Sequence, residues 1–317
     1  MHVLVTGGAG FIGSHTVERL LSAGHGVTVF DDFNDFYAPA IKRETFAKFA
    51  DQVTLVEGDI RDQSAVARAF ETKPDAVIHL AARAGVRPSL DNPAFISRRI
   101  STAHSTCSKP PKPPHVKQFV FASSSSVYGV NKKVPFAEAD PIERTISPYA
   151  ATKLAGEQLC SNFSHLYGMR TICLRFFTVY GPRQRPDLAI SKFTRLILEG
   201  KPIPRYGKGD TSRDYTYVED IVDGVMGALA YQDSDFEIIN LGGSQTVTLN
   251  ELIETVEAAL GQKAVIDEQP EQPGDVPRTS ADVAKARKLL GFEPKTPVSA
   301  GVPKFVEWYQ ASVAAAE

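Results

Sequence analysis

The sequence has few cysteines, no long apolar run and almost no net charge, and each absence excludes a class of protein. Its three cysteines, Cys107, Cys160 and Cys173, lack metal-ligand spacing, and their odd number argues against a disulfide framework. No stretch approaches the roughly 20 apolar residues of a membrane span. A formal charge of −2 gives no electrostatic case for a nucleic-acid or membrane partner. We therefore expect no metal site, no nucleic acid and no membrane partner.

The 317 residues, 43% of them hydrophobic, can bury one large or two moderate cores. A β-strand pattern begins at His2 and leaves no room for a secretion signal, so we expect a cytoplasmic protein. Apolar strand patterns then alternate with helical ones, which predicts an α/β fold with a doubly wound parallel sheet. The elements shorten past Gly200, which indicates a smaller, mostly helical second domain. The predicted strands of the sheet are residues 2–6, 26–32, 53–57, 76–82, 118–126, 171–177 and 236–241.

A glycine-rich turn follows the first predicted strand. The run Gly7-Gly-Ala-Gly10-Phe-Ile-Gly13 lies between that strand and a helix with periodic apolar positions. Glycine at 7 and 10 lets the backbone approach a pyrophosphate, which would lie on the N–H groups of the helix N-terminus. Gly13 allows close packing of helix and strand. The pattern indicates a dinucleotide site, although a glycine-rich turn alone is weak evidence.

Acidic residues end the second predicted strand. Asp31 lies 18 positions after Gly13, where a carboxylate takes the ribose hydroxyls of adenosine. Its charge would repel a 2′-phosphate, which favours NAD over NADP. The predicted cofactor-binding residues are Gly7, Gly10, Phe11, Ile12, Gly13, Asp31, Asp32, Asp59, Ile60, Leu80, Ala81, Ala82, Tyr149 and Lys153.

Tyr149 and Lys153 lie four residues apart in a helix predicted over 148–167, so their side chains share one face. A fixed ammonium favours the phenolate and lowers the tyrosine pKa toward neutrality, which makes the pair a proton-transfer device. The same spacing also arises by chance on amphipathic helices. Four consecutive serines, 123–126, end the fifth predicted strand and supply hydroxyl groups nearby.

In the order and spacing of these motifs, the chain resembles the extended short-chain dehydrogenase/reductase family over nearly its whole length, particularly the nucleotide-sugar epimerases and dehydratases. The resemblance implies NAD as cofactor, a UDP-sugar as substrate and a homodimer. It also implies a Rossmann domain over 1–177, to which 214–241 returns. A UDP-sugar domain over 178–317 would be interleaved with it.

The same resemblance assigns the catalytic roles. Ser124 would hydrogen-bond the substrate hydroxyl, Tyr149 would be base and acid, and Lys153 would tune Tyr149 and hold the nicotinamide ribose. Dehydratases of the family carry an Asp-Glu pair after the strand, and related decarboxylases usually keep a Glu, whereas serines follow here. Without a further acid or base, the simplest chemistry is reversible oxidation of one carbinol. That chemistry implies epimerisation at C4.

The run Arg175-Phe-Phe-Thr-Val-Tyr-Gly-Pro-Arg-Gln-Arg185-Pro-Asp-Leu-Ala looks like the corresponding stretch of UDP-glucuronate 4-epimerases. A guanidinium binds a carboxylate through two parallel hydrogen bonds, so Arg185 is expected to bind the C5 carboxylate, unless it is a solvated loop arginine. Similarity further suggests that Arg213 binds the pyrophosphate, and that Arg278 lies in a stretch closing over the uridine. The predicted substrate-binding residues are Ser124, Ser125, Ser126, Thr178, Arg185, Arg213 and Arg278.

The sequence therefore predicts NAD-dependent conversion of UDP-glucuronate to UDP-galacturonate. A UDP-glucose/UDP-galactose 4-epimerase is the main alternative. A UDP-glucuronate decarboxylase, a net dehydrogenase and a non-catalytic NAD-sensing protein also stay open.

One segment does not fit the resemblance. The family fold needs a long helix between Phe95 and Val116, but residues 96–114 lack an apolar helical period and contain four prolines. A proline-rich surface loop is one interpretation. We favour a local reading-frame error, because a neighbouring frame can encode a strongly amphipathic helix from Ile100 onward. The intact mass of the protein distinguishes the two.

Overall fold

The structure, a computed structural model, describes residues 1–83, 85–91, 116–243, 245–271 and 276–314. The segment 96–114 and Arg99, on which the sequence pattern disagrees with the family, lie outside the described residues. In chain order, the strands β1 to β12 are His2–Thr6, Gly26–Asp31, Thr54–Glu57, Ala76–His79, Gln118–Ser124, Arg170–Phe176, Thr178–Tyr180, Ile203–Tyr206, Ser212–Tyr217, Phe236–Leu241, Thr246–Thr248 and Ile266–Gln269.

The α-helices follow the same numbering. In chain order, α1 to α10 are Phe11–Ser22, Pro39–Ala47, Gln63–Glu71, Val86–Asp91, Pro148–Tyr167, Ala189–Leu198, Val218–Ala230, Leu249–Leu260, Ala284–Leu290 and Val298–Ala314. Short 3-10 helices are formed by Ala50–Gln52 and Ser125–Tyr128.

Seven parallel strands form the main sheet, in the order β10-β6-β5-β4-β1-β2-β3. Both faces are covered, because successive side chains of a strand enter different cores. In β1, Val3 and Val5 pack in one buried cluster, and Leu4 packs in another. The prediction of a doubly wound α/β sheet is confirmed.

The carboxyl ends of four neighbouring strands create the position of the site. The chain reverses its strand order between β1 and β4, and an open α/β sheet leaves a crevice at such a point. Thr6, Asp31, His79 and Ser124 are the last residues of the strands that border this crevice. Asp31, a predicted cofactor residue, and Ser124, a predicted catalytic residue, therefore lie at the same edge of the sheet.

The remaining elements build a smaller unit with its own core. Two small sheets, β11-β9-β7 and β12-β8, lie with helices α6, α8 and α10. Buried side chains from those helices, such as Phe193, Val256 and Phe305, share one apolar cluster. The sequence analysis did not predict strands β7, β9, β11 and β12.

The chain crosses between the two units more than once. Strand β10 pairs with β6 in the main sheet, and Ile221 and Val225 of α7 are buried in a core cluster of that sheet. The domain boundaries at residues 177 and 178 stay a prediction. Within the described residues, no helix has the length and apolar character needed to cross a membrane.

Candidate active site

A cleft of about 460 Å³ lies along the carboxyl ends of the main strands. It brings together residues predicted from separate parts of the sequence. The predicted site residues that line it are Gly7, Gly10, Phe11, Ile12, Gly13, Asp31, Asp32, Ile60, Leu80, Ala81, Ala82, Ser124, Ser125, Ser126, Tyr149, Lys153, Thr178, Arg185 and Arg213.

The glycine turn packs too tightly for side chains. Gly7 has φ +72°, and a Cβ there would lie 2.8 Å from the backbone nitrogen of Ala81. A Cβ on Gly13 would lie 2.0 Å from the carbonyl oxygen of Gly7. Helix α1 begins at Phe11, so the N–H groups of its first turn, which lack an intrahelical acceptor, face the cleft. This turn fits a pyrophosphate cradle.

Asp31 lies beside that turn at the end of β2. Its Oδ2 accepts a hydrogen bond from the N–H of Ala9 at 3.0 Å, and its Oδ1 accepts one from the N–H of Phe33 at 2.9 Å. Burial raises the pKa of Asp31, and these N–H groups and the Lys42 ammonium oppose the rise. The two backbone contacts fix the carboxylate at the position expected for ribose recognition.

The serine cluster ends β5 next to the tyrosine. The Ser124 Oγ accepts hydrogen bonds from the N–H of Ser126 at 3.2 Å and from its hydroxyl at 3.0 Å. Tyr149 enters from helix α5, whose first turn is capped by the Ser147 Oγ, which accepts from the N–H of Ala150 at 3.1 Å. Ser124 also favours the phenolate form of Tyr149, which lines the same cleft.

Lys153 lies one helical turn beyond Tyr149. Its Nζ donates a hydrogen bond to the carbonyl oxygen of Ala122 at 2.5 Å and lies 5.8 Å from the centre of the Tyr149 ring. Burial lowers the pKa of Lys153 to about 8, and the nearby Glu157 carboxylate opposes this.

The expectation of a lowered tyrosine pKa is wrong for this structure. Burial raises the pKa of Tyr149, and this effect outweighs the influence of Ser124 and the charge of Arg185, which both favour the phenolate. The Lys153 ammonium donates instead to the carbonyl oxygen of Ala122. The pair shares one helix face, as predicted.

A buried ion pair lies next to the serine cluster and Lys153, on the side away from the cleft. Arg175 donates to both carboxylate oxygens of Glu157, at 2.9 and 2.8 Å, and the Ser123 hydroxyl donates to the same carboxylate at 2.5 Å. Glu157 is fully buried, and these three hydrogen bonds engage both of its carboxylate oxygens. It is therefore not free to act as an acid or base on a substrate.

Three predicted substrate residues reach the cleft from the smaller unit. Thr178 begins β7, Arg213 lies in β9, and Arg185 lies in the loop after β7. The Arg213 Nη1 donates to the backbone oxygen of Ser212 at 2.9 Å. The Arg185 guanidinium pairs with Asp187, so it is not a solvated loop arginine.

Two predicted residues do not line the cleft. Asp59 forms an ion pair with Arg61 at 2.5 Å, and Arg278 is exposed on a bridge to Ser212. Their assigned roles in adenine and uridine binding stay predictions.

The loop between β2 and α2 supplies residues that the sequence analysis did not select. Asn34, Phe36 and Tyr37 line the cleft, as does the buried Lys42 of α2, whose Nζ donates to the backbone oxygen of Asn34 at 3.1 Å. Three aromatic residues in this seven-residue loop, Phe33, Phe36 and Tyr37, were the available signal.

A model of the NAD dependent epimerase/dehydratase family matches residues 3–242. The chain belongs to this family. A probable UDP-glucuronate 4-epimerase of Rhizobium meliloti is 40% identical over 333 residues, which cover 98% of this chain and 97% of the relative.

Solved structures of the epimerase/dehydratase fold agree over the whole chain. The UDP-glucuronic acid 4-epimerase of Bacillus cereus, in complex with UDP-glucuronic acid and NAD, is 31% identical with a TM-score of 0.88, covering 98% of this chain and 100% of that one. The UDP-glucose 4-epimerase of Thermotoga maritima, with UDP-glucose, is 33% identical with a TM-score of 0.90, covering 99% and 100%. Overall similarity to these two structures does not distinguish UDP-glucose from UDP-glucuronic acid as the substrate. The side chains of the cleft must provide that distinction.

Proposed function

We propose that this protein catalyses the NAD-dependent 4-epimerisation of a UDP-hexuronic acid, converting UDP-glucuronate to UDP-galacturonate. The sugar would be oxidised at C4, turn over as a 4-keto intermediate and be reduced on its other face. One observation carries the proposal: the Ser124, Tyr149 and Lys153 group and the carboxylate-binding candidates Thr178 and Arg185 line the same cleft.

The cleft fits an NAD cofactor. The close-packed turn of Gly7 and Gly13 leaves backbone N–H groups for a pyrophosphate, and the fixed carboxylate of Asp31 suits the ribose hydroxyls and disfavours a 2′-phosphate. Lys153 would hold the nicotinamide ribose. When bound, NAD supplies the acceptor and donor for the C4 hydride.

Tyr149 is the residue that would move the O4 proton. It has to be a phenolate to accept the proton, and its burial opposes that charge. Ser124 and Arg185 favour the phenolate, and Ser124 can also hold the same sugar hydroxyl. The tyrosine would therefore act as base when the hydroxyl is oxidised and as acid when the ketone is reduced.

Among the described residues, none that lines the cleft beside the serine cluster is a carboxylate of the kind that other reactions of the family use. In the described part of the chain, the acidic residues lining it are Asp31 and Asp32, at the ribose end. Glu157 behind the serines is bound to Arg175. Dehydration would need an acid and a base beside the sugar, so this composition favours epimerisation.

A uronic acid needs restraint during the reaction. Once C4 is a ketone, the C5 carboxylate belongs to a β-keto acid that loses CO2 when its C–C bond aligns with the carbonyl π system. Arg185, Thr178 and the serine cluster are placed to hold the carboxylate out of that alignment. This restraint would separate the epimerase from a decarboxylase.

Two incubations test the proposal. Purified protein is given UDP-glucuronate and UDP-glucose separately, the products are separated, and the absorbance of bound cofactor is followed. We expect UDP-glucuronate to give UDP-galacturonate and UDP-glucose to turn over more slowly. Neither incubation should release NADH. UDP-galactose as the preferred product would support the neutral-sugar epimerase. Release of stoichiometric NADH would support a dehydrogenase. A pentose product would support a decarboxylase, and the absence of turnover would support an NAD-sensing protein.

We also propose a homodimer formed through helix α5. Leu166 and Tyr167 at the end of this helix are 66% and 48% exposed, which leaves apolar surface for a second copy. Sedimentation equilibrium of the wild type and of Leu166→Asp tests this, with a dimer expected for the first and a weakened one for the second.

A further inference from the structure

The Arg185 guanidinium is held by two residues outside the predicted site. Its Nε donates to Oδ1 of Asp187 at 2.9 Å, and its Nη2 donates to Oδ2 at 2.9 Å. The centre of the guanidinium also lies 5.1 Å from the centre of the Phe36 ring, which belongs to the loop after β2. One contact fixes an edge of the planar group, and the other covers a face.

Within the described residues, the hydrogen bonds that Arg185 donates go to Asp187, which leaves the remaining edge of the guanidinium for a second carboxylate. A guanidinium has five N–H donors, and Asp187 uses those on Nε and one on Nη2. The side chain is 14% exposed and lines the cleft. Its charge also favours the Tyr149 phenolate, and both side chains line the same cleft.

Gly85 keeps space beside this edge. It has φ +130°, which suits glycine alone, and a Cβ there would lie 3.9 Å from the Arg185 Nη2 and 3.0 Å from Cδ of Pro88. The backbone angle and the close contact with Pro88 therefore keep glycine at this position, next to the guanidinium.

We propose that Asp187 determines the preference for a uronic acid by orienting Arg185. Asp187 is a positioning residue: it fixes the plane of the guanidinium, so that the free edge presents two parallel donors to the substrate carboxylate. Phe36 supports the same plane. This inference rests on the proposed function, because it assigns the residue that makes the carboxylate contact selective.

Asp187 could instead compete with the substrate for Arg185. Two observations favour orientation over competition. Asp187 is 45% exposed, so solvent screens its repulsion of a second carboxylate. Its side-on geometry occupies a different edge of the guanidinium from the one left for the ligand. The two interpretations predict opposite changes in the affinity for UDP-glucuronate when Asp187 is removed: orientation predicts weaker binding, and competition predicts tighter binding.

The test compares the wild type with Asp187→Ala and Asp187→Asn. KM and kcat are measured for UDP-glucuronate and UDP-glucose, and binding of both nucleotides is measured by calorimetry. We expect Asp187→Ala to raise KM and Kd for UDP-glucuronate about tenfold, because an unoriented arginine loses one of its two hydrogen bonds. KM and Kd for UDP-glucose should change by less than about twofold in the same variant.

Two further results separate orientation from a general structural effect. Asp187→Asn keeps one acceptor oxygen, so it should recover part of the affinity for UDP-glucuronate. A loosely held carboxylate should also release CO2, so Asp187→Ala should form more decarboxylated product per turnover. Phe36→Leu should shift selectivity in the same direction by about threefold, since a cation–π contact is weaker than two charged hydrogen bonds.

Glu57→Gln is the matched control. Glu57 accepts two hydrogen bonds from Arg43, at 3.3 and 2.7 Å, and is 48% exposed, close to Asp187, but it does not line the cleft. It should leave all constants unchanged. Unchanged or tighter binding of UDP-glucuronate by Asp187→Ala would overturn the inference alone. A wild type without preference for UDP-glucuronate would overturn the proposed function, and the inference with it.

Discussion

Arg183 of the substrate loop forms a two-point ion pair with Glu18 of helix α1. The Arg183 Nη1 donates to Oε2 at 2.9 Å, and Nη2 donates to Oε1 at 2.7 Å. Next to this pair, the His15 Nε2 donates to the backbone oxygen of Pro182 at 2.9 Å. Helix α1 begins at the glycine turn, so these contacts tie the loop that carries Arg185 to the proposed cofactor site.

Glu18→Gln should loosen this loop without removing a residue of the cleft. Arg183 has φ +65°, a conformation that a non-glycine residue keeps only with support from its neighbours. Loss of a partly buried pair costs about 1 kcal/mol, so KM for UDP-glucuronate should rise roughly fivefold while bound NAD is retained. Glu199→Gln breaks the exposed pair with Arg195 and is the control. Equal KM values in both variants would contradict the account.

His15 should make the protein less stable in mild acid. Burial lowers the pKa of His15 to about 4 from 6.5, so the unfolded chain binds a proton between these values and the folded protein does not. Stability is therefore present above pH 6.5 and decreases as the pH falls toward 4, by at most about 3 kcal/mol. Urea unfolding of the wild type and of His15→Gln at pH 7 and 4.5 measures this. The free energy of unfolding should decrease less on acidification in His15→Gln than in the wild type. Equal decreases in the two proteins would argue against this role of His15.

Tyr149→Phe should abolish turnover while leaving binding intact. Loss of a proton-transferring group reduces kcat by about 10²–10⁴-fold. The phenyl ring keeps the packing on α5, so affinity for UDP-glucuronate and retention of NAD should change little. Tyr167→Phe removes an exposed hydroxyl from the same helix and should retain activity. A Tyr149→Phe enzyme with more than a tenth of wild-type kcat would rule out its role as base.

Asp31→Asn should weaken discrimination between dinucleotides. The amide keeps one acceptor oxygen but loses the charge that repels a 2′-phosphate and one of the two backbone contacts. We expect the affinity for NAD to decrease about tenfold, and the ratio of the affinities for NAD and NADP to decrease as well. Calorimetry with both cofactors on stripped protein measures the two constants. An unchanged preference would mean that another group selects the cofactor.

The main sheet could be predicted from the sequence because its signals are local. The buried strands read as short apolar runs, and helix α5 has a serine cap, a proline in its first turn and Gly168 in a left-handed conformation at its end. Its predicted and observed ranges agree. The same kind of signal marks α8, where Thr248 and Glu251 form a capping box.

The contacts that tune the site could not be predicted, because they join distant parts of the chain. Phe36 meets Arg185 only through the fold, and nothing local to either residue indicates the other. The direction of the Tyr149 pKa likewise depends on burial, which spacing on a helix does not report. Sequence patterns thus identified which groups meet, and the structure shows how they are held.

The most direct test of the account follows the hydrogen at C4. UDP-glucuronate carrying deuterium at C4 is incubated with the purified protein in ordinary water, and the products are analysed by mass spectrometry and NMR. Epimerisation by oxidation and return of the same hydride predicts UDP-galacturonate that retains the deuterium at C4. Deuterium lost to water or released on free NADH, or a pentose product, would contradict it.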